Sequence, residues 1–424
     1  MRGKPMSKLH FLCILFIFLL NPLIASSVSF SVERAIAHAK KLKAQGLEIQ
    51  IYQKYEATAK ANYQPIVNFN VYQKSEKTEF TTRKSSVQNS SNFSLSLKQN
   101  IYNGAYDKYN IQMAQKDIAL AQMEYEKINQ SIIYEALSIH LAVFLAKERL
   151  YGQRKLLGEY NTLLKIAEYK AEYGDENEKN ELISRKYSAS MKKLSLQEDY
   201  ALKKAQYLEY TGSYVKSLKM DLNMKKNLIP PPSYARLEQS NWDILKNILE
   251  LSKVKDEINR DKSLFLPKID LELQAYKAEP LAQLAYATEN QYSAKLNLSY
   301  NFYNGKRDKL KSEITQLRKL QLLRQGDDIY RDVSLKYSEY YIQYKHSLKT
   351  NNLLANYLKT ERKKYFQYKK IFKLSGAKSL LDILGVLENI EYLKNMKYAN
   401  IEKKVMTYTN MLFLQSKLSL VNIQ

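Results

Sequence analysis

Residues 93–104 read FSLSLKQNIYNG and residues 294–305 read AKLNLSYNFYNG, so Leu95, Leu97, Asn100, Tyr102, Asn103 and Gly104 return 201 positions later as Leu296, Leu298, Asn301, Tyr303, Asn304 and Gly305. In each copy alternating apolar residues give way at Asn-Gly to a long stretch free of proline. That is the pattern of a strand entering a helix through a turn that needs positive φ. A strand ends there and a long helix begins, twice in one chain.

Each junction closes a pair of strands. The alternation predicts strands at about 66–78 and 92–102, then at about 268–278 and 292–303. Val67, Phe69 and Val71 alternate with Asn68, Asn70 and Tyr72, and Phe93, Leu95, Leu97 and Ile101 alternate with Ser94, Ser96 and Lys98. In the second pair Ile269, Leu271, Leu273 and Ala275 alternate with Asp270, Glu272 and Gln274. Ala294, Leu296, Leu298, Tyr300 and Phe302 alternate with Lys295, Asn297 and Ser299. Each run is about the 9 to 11 residues a tilted strand needs to cross a bilayer, with one apolar and one polar face.

A water-soluble sheet packed against helices would give any one of these runs. Their arrangement argues for a membrane, because the chain opens on an export signal. Arg2, Lys4 and Lys8 precede the apolar run FLCILFIFLL at 11–20, and Pro22 with Ala25, Ser26 and Ser27 supplies a breaker and a small-residue cleavage site. This predicts a signal peptide over 1–27. The apolar run is about half the roughly 20 residues of a spanning helix, and no later stretch reads as one. Cleavage removes Cys13, the only cysteine, so the mature chain has neither a disulfide nor a thiol for lipidation. It also lowers the net charge from +24 to +21. The basic residues are spread along helical segments with no nucleic-acid-binding motif, which reads as a lysine-rich solvated surface rather than a nucleic-acid site.

Four strands cannot close a barrel in lipid, where each unpaired backbone group costs several kcal/mol and the smallest bacterial barrels have roughly 8 strands. If they lie in a membrane, several copies of the chain share the barrel.

Helix makes up most of the chain. No proline falls within 66–229 or 281–424, so nothing there carries this breaker. Ile111, Ala114, Ile118, Ala121, Tyr125, Ile128, Ile132, Ala136, Ile139, Val143, Ala146 and Leu150 follow spacings of three and four with one stutter, a coiled-coil seam. Tyr330, Val333, Tyr337, Tyr340 and Tyr344 do the same in the second half. A continuous helix from residue 105 to 173 would be on the order of 100 Å long. Each long helix then meets a glycine, Gly174 in AEYGDENEKNELI and Gly376 in FKLSGAKSLLDIL, followed by acidic or hydroxyl residues suited to a new helix N-terminus. These are predicted hairpin tips. Pro65 and Pro267 mark the other end of each repeat, where a helix stops before the first strand. The expected organisation is a first repeat over 28–212, an extended linker over 213–241 carrying Pro230, Pro231 and Pro232, and a second repeat over 242–424.

The order helix, strand, strand, long helix, glycine tip and returning helix, run twice, resembles the TolC family of outer-membrane efflux proteins over essentially the whole mature chain. SVERAIAHAKK at 31–41 is similar to the family's opening helix and SGAKSLLDIL at 375–384 to its tip sequence; the junctions at Gly104 and Gly305, the two prolines and the close at Tyr210-Thr211-Gly212 also fit. The resemblance implies a mainly α chain with a membrane β-barrel part: a homotrimer giving four strands per chain to one 12-stranded barrel in outer-membrane lipid, with its helices forming a periplasmic tunnel. It implies passive conduction, with partners in a periplasmic adaptor and an inner-membrane pump, and no cofactor, metal or catalytic residue. The tips, Tyr173, Gly174 and Asp175 with Ser375, Gly376, Ala377 and Asp382, correspond to the adaptor contact. Helix capping alone would equally explain the two glycines.

Where the family often carries an acidic ring before the tip, this chain has ERKKYFQYKKIFK at 361–373. Lys363, Lys364, Gln367 and Lys370 are the gate candidates. Facing inward, they would favour anions by concentrating positive potential in a narrow passage; facing outward, they are a solvated face. Beyond the signal, His38, His140 and His346 are scattered along helices without metal or triad spacing. Two other readings share the export signal and heptads: a conduit dedicated to type I protein secretion, and a periplasmic coiled-coil adaptor or structural protein.

Overall fold

The computed structural model describes residues 27–79, 81–82, 86–172, 176–215, 218–220, 237, 239–278, 290–375 and 378–419. The expected signal peptide before Ser27, tip residues Tyr173, Gly174, Asp175, Gly376 and Ala377, and most of the linker, with its three prolines, lie outside them. The elements run α1 (Val28–His38), α2 (Lys40–Ala61), β1 (Ile66–Thr78), β2 (Ser86–Tyr102), α3 (Tyr106–Ala171), α4 (Glu176–Thr211), α5 (Trp242–Lys262), a 3-10 turn (Ser263–Phe265), β3 (Lys268–Ala278), β4 (Asn290–Ser299), α6 (Arg307–Ser375) and α7 (Leu380–Leu414). The chain forms two compact units, one of Ala44–Tyr125 and Asp243–Arg331, the other of Met1–Lys43, Glu126–Trp242 and Asp332–Gln424.

The first of these units holds an antiparallel sheet in the order β1-β2-β3-β4. Its register carries the alternation across all four strands. Val67, Leu97, Leu273 and Ala294 fall in one row, while Asn68, Ser96, Gln274 and Ser293 fall in a row on the opposite face. The apolar face is uncovered within the chain, with Phe69 68% and Leu296 69% exposed. On the polar face Lys98 lies 3.4 Å from both Asp270 and Glu272. Among the described residues the outer edges of β1 and β4 have no strand partner.

The strands depart from the expected spans and from regular pairing, and β4 begins two residues early, at Asn290. β2 begins earlier, at Ser86. A register shift between Asn100 and Tyr102 sets Tyr102, rather than Ile101, opposite Ile269; a bulge leaves its extra residue unpaired. β4 stops at Ser299 instead of reaching 303, because the next rung would fall on Pro267, which has no N–H to give. Tyr300 and Phe302 then pack edge to face at 4.6 Å.

Both strand-to-helix turns use the same device. Gly104 and Gly305 have φ of 68° and 69°, and the residues that follow, Ala105 and Lys306, are also left-handed at 68° and 65°. Asn103 donates to Asp107, and Asn304 to Asp308, in the first turn of the following helix. A carboxylate there is favoured by the exposed N–H groups and the helix dipole. Asn62 also donates to Asp107 at 3.1 Å. In this unit α3 and α5 are joined by a reciprocal pair of ion pairs, Lys116 with Asp256 and Lys253 with Asp117. Asp261, fully buried, accepts from Thr315 at 2.7 Å and pairs with Arg260 at 3.0 Å.

The other unit packs α1 and α4 with the remaining lengths of α3, α6 and α7. Ala121 apart, the buried members of the predicted α3 seam lie here: Ile128, Ile132, Ala136, Val143, Ala146 and Leu150. Ile133, Leu137, Leu141 and Leu145 form a second buried stripe, so α3 is covered on two faces. That corrects the expectation that no later stretch has the apolarity of a membrane span. One window of α3 does, and 56% of it is buried inside the protein, as in a core helix. Ser31 links α1 to α3 and α4, with its hydroxyl 2.7 Å from both His140 Nδ1 and the Tyr207 hydroxyl. Gly212 ends α4 at φ 63°, where a Cβ would sit 2.9 Å from His38 Nδ1.

The two junction glycines differ in one respect. A Cβ at Gly104 would sit 2.9 Å from both Leu266 Cβ and the Ser263 carbonyl oxygen, whereas one at Gly305 meets nothing within 4 Å. Gly305→Ala should therefore cost only about 1 kcal/mol for the left-handed backbone, and Gly104→Ala distinctly more. Thermal unfolding of the two purified variants checks the order.

Burial raises the hydroxyl pKa of Tyr207, and of Tyr337 up to about 12. A folded-state pKa above the unfolded value of about 10 means that the folded form holds the extra proton. The stability these groups contribute is therefore complete below about pH 10 and falls as pH rises above it, for Tyr337 through about 12. In an alkaline titration, part of the tyrosinate absorbance should appear only as helix content is lost.

Candidate functional site

The sequence directs attention to the tip-side parts of the two helical hairpins, which lie in the unit without the sheet. Ser379 begins α7 with a capping box: its hydroxyl accepts from the Asp382 N–H at 3.0 Å, and the Asp382 carboxylate accepts from the Ser379 N–H at 3.1 Å. Asp382, a proposed contact residue, is thus already engaged in ordering its helix, with Lys378 4.0 Å away. Of Ser375 only the backbone is described, as the last residue of α6.

The α7 N-terminus is also held from the other hairpin. Glu178, in the first turn of α4, accepts from the backbone N–H groups of Leu380 at 2.6 Å and Leu381 at 3.4 Å, and its second oxygen lies 3.3 Å from Lys170. A carboxylate here satisfies N–H groups that a helix start leaves without partners. Leu380, Ile383 and Leu384 then pack against Leu156, Tyr160 and Leu163 of α3 and Leu182 of α4.

Further polar links run alongside. Glu388 on α7 accepts from the Tyr160 hydroxyl and, at 3.2 Å, from Arg185, which also holds Glu181 at 2.6 Å. Burial, then the hydrogen bond to Glu388, raises the Tyr160 pKa and keeps that hydroxyl a donor. Tyr365 on α6 donates to Glu159 at 3.3 Å, and burial raises its pKa too.

Three of the four gate candidates share a face. Lys363, Gln367 and Lys370 are exposed and follow one another at spacings of four and three. Lys364 lies one residue round the helix, 3.9 Å from Glu361 and 5.5 Å from the centre of the Tyr368 ring. Sequence reasoning missed Glu361 itself. It occupies the heptad seam that continues from Tyr344 through Leu354 and Leu358, is buried, and has one oxygen without a hydrogen-bond partner among the described residues. Extending the tyrosine seam 17 residues beyond Tyr344 would have found it. Glu391 on α7 is also buried, with one oxygen held by Lys394 at 2.9 Å. Its other oxygen lies where a Cβ on Gly152 would be, at 2.0 Å. A glycine inside a long helix, a mark of close approach, was the available signal. The three histidines stay apart: His140 lies buried beside Ser31 with Nε2 3.0 Å from the Lys219 carbonyl oxygen, His38 adjoins Gly212, and His346 lies 3.4 Å from Thr350.

Mainly helical, with one four-stranded antiparallel sheet and two long hairpins, the chain has the TolC-like fold of outer-membrane channels. It matches the CmeC outer membrane channel of Campylobacter jejuni with a TM-score of 0.80 and 12% identity, over 92% of this chain and 86% of that one. It matches the outer membrane protein VceC of Vibrio cholerae with a TM-score of 0.77 and 13% identity, over 92% and 96%. The open state of the Neisseria gonorrhoeae MtrE outer membrane channel gives a TM-score of 0.77 and 12% identity over 94% and 91%. No family model and no curated protein matches the sequence.

The cross-hairpin cap is open to a direct test. Glu178→Ala leaves two N–H groups of α7 uncapped and should cost about 1 to 2 kcal/mol, while Glu178→Gln, which keeps an acceptor oxygen, should lose less. Hydrogen exchange at the Leu380 and Leu381 amides should quicken in that order.

Proposed function

We propose that the chain is the outer-membrane exit duct of a tripartite efflux or secretion system, conducting substrates passively outward. The observation that carries this reading is the open sheet. It has one apolar face, one polar face and two edges without a strand partner among the described residues, in a chain of outer-membrane channel fold. A sheet of this kind is stable in hydrocarbon only when its edges are closed. Pairing β4 of one copy with β1 of the next closes a barrel of twelve strands from three chains, with the apolar face on lipid and the polar face on the lumen. Exposed apolar residues on α4, Tyr187, Met191 and Leu194, at spacings of four and three, favour helix contacts between copies.

In this reading the signal peptide at 1–27 sends the chain to the envelope and the helices form the periplasmic tunnel. The tips at residues 173–175 and 375–377, with Asp382, meet a periplasmic adaptor that couples the duct to an inner-membrane pump. The channel does no bond-making chemistry.

Two measurements test the proposal. Cells lacking the protein should accumulate a fluorescent efflux substrate, and restoring the gene should reverse this. Unchanged accumulation together with loss of one protein from the secretome would assign the duct to type I secretion. For the gate, Lys363 and Lys370, repeated three times around the axis, should make reconstituted channels anion-selective across a salt gradient, and Lys363→Glu with Lys370→Glu should move the reversal potential toward cation preference. Cation preference in the unaltered channel would remove the lysine gate from the mechanism.

A further inference from the structure

The two strand-to-helix junctions share a turn but not a surface. Gly104 is followed by Ala105, Tyr106 and Asp107, whereas Gly305 is followed by Lys306, Arg307 and Asp308. The first junction is packed, with Gly104 against Leu266 and the Arg260 guanidinium 5.9 Å from the centre of the Tyr106 ring. The second opens outward. A Cβ on Gly305 would meet nothing within 4 Å, and Lys306 and Arg307 are both exposed.

Among the described residues Lys306 and Arg307 form no ion pair; Asp308 beside them accepts from Asn304, and Lys309 lies 4.0 Å from Glu313. Cations at the start of a helix work against its dipole, so their placement suits an anion brought from outside. Apolar surface adjoins them. Tyr102, Ile269 and Leu298 form the row of the apolar face nearest the helices, and Tyr300 and Phe302 carry the alternation of β4 past its last residue, Ser299. Phe302 is 90% exposed and precedes Lys306 by four residues, at most about 14 Å of chain. We infer that the second junction is a docking site for an anionic phospholipid of the inner leaflet, its phosphate on Lys306 and Arg307 and the upper part of its acyl chains on Phe302 and the adjoining apolar row.

Three features favour that occupant. The apolar row is continuous with the uncovered sheet face, so a ligand here must offer hydrocarbon beside its charge, which a free anion does not. Aromatic rings followed by lysine or arginine suit a membrane boundary, the rings lying among headgroups and the cations reaching out to phosphate. The helices also leave from this end of the sheet, which in the proposed duct is the periplasmic side, where the leaflet is built of phospholipid. The inference rests on that reading of the sheet as embedded in a membrane.

The test uses the purified full-length protein in neutral detergent and two fluorescent lipids with the same acyl chains, phosphatidylglycerol and phosphatidylcholine. Phosphatidylglycerol should bind at least about tenfold more tightly. Lys306→Gln with Arg307→Gln should weaken it about tenfold and leave phosphatidylcholine unchanged. Phe302→Ser should weaken both lipids, and Lys192→Gln with Lys204→Gln, on α4, should weaken neither, all variants being matched for helix content by circular dichroism. Equal binding of the two lipids, equal weakening by the α4 pair, or displacement of phosphatidylglycerol by inorganic phosphate at the same concentration would overturn the inference. Alkaline carbonate extraction from phosphatidylcholine vesicles checks the membrane reading separately. Release of the unaltered protein would remove that reading and the inference together, whereas retention without a preference for phosphatidylglycerol overturns the inference alone.

Discussion

Backbone hydrogen bonding at the two outer edges of the sheet is the constraint on which the architecture turns. Three pairings satisfy the interior of the sheet, and among the described residues the outer sides of β1 and β4 are left with rows of N–H and C=O groups. In water such edges cost little, because solvent pairs them; in hydrocarbon the cost falls on every rung. The uncovered face bearing Val67, Phe69, Leu95 and Leu296 makes the aqueous alternative unfavourable as well. In the proposed duct, strands that suit lipid also need neighbours, and the repeated hairpin would supply the two ends to be paired.

The duplication explains much of the local chemistry and also where the copies have diverged. Asn-Gly, a second left-handed residue and an aspartate four places after the asparagine recur intact at both junctions. Such a turn tolerates little change, because the two left-handed residues spend conformational energy that the asparagine-to-aspartate bond and the new helix must offset. The surroundings were freer to drift. Gly104 is pressed against Leu266 and the Ser263 carbonyl, while Gly305 faces open space. Half of the glycine requirement is thus conformational in both copies, and the other half is steric in only one.

Features that repeat at fixed spacing were legible in the sequence. The four strands, the long helices, the buried positions Ile128, Ile132, Ala136 and Val143, and the cap at Ser379 and Asp382 all follow from period, breakers and local side-chain chemistry. What escaped was set by partners distant in the chain. The end of β4 depends on Pro267 across the ladder, and the bulge near Tyr102 on the pairing of β2 with β3. Glu178 is one of several acids in AEYGDENEKNELI, yet it caps a helix 202 residues away. No local pattern distinguishes it from Glu176 beside it.

The buried glutamates show how such distant contacts fix the register of the hairpins. A seam of leucine, alanine and tyrosine can slide by one heptad and lose little, because each knob finds a similar hole. Glu391 removes that freedom. Its oxygen occupies the space that a side chain on residue 152 would fill, and the nearest other glycine of α3, Gly158, is six residues on, out of heptad step. Moving α7 along α3 by one heptad would drive a carboxylate into a side chain. Glu178 acts likewise at the α7 N-terminus, where only one alignment brings its oxygen within 2.6 Å of the Leu380 N–H. Burying a charged group is a costly way to gain stability and an effective way to exclude alternatives, so the polar contacts near the tips select one alignment from several that the apolar seam alone would allow.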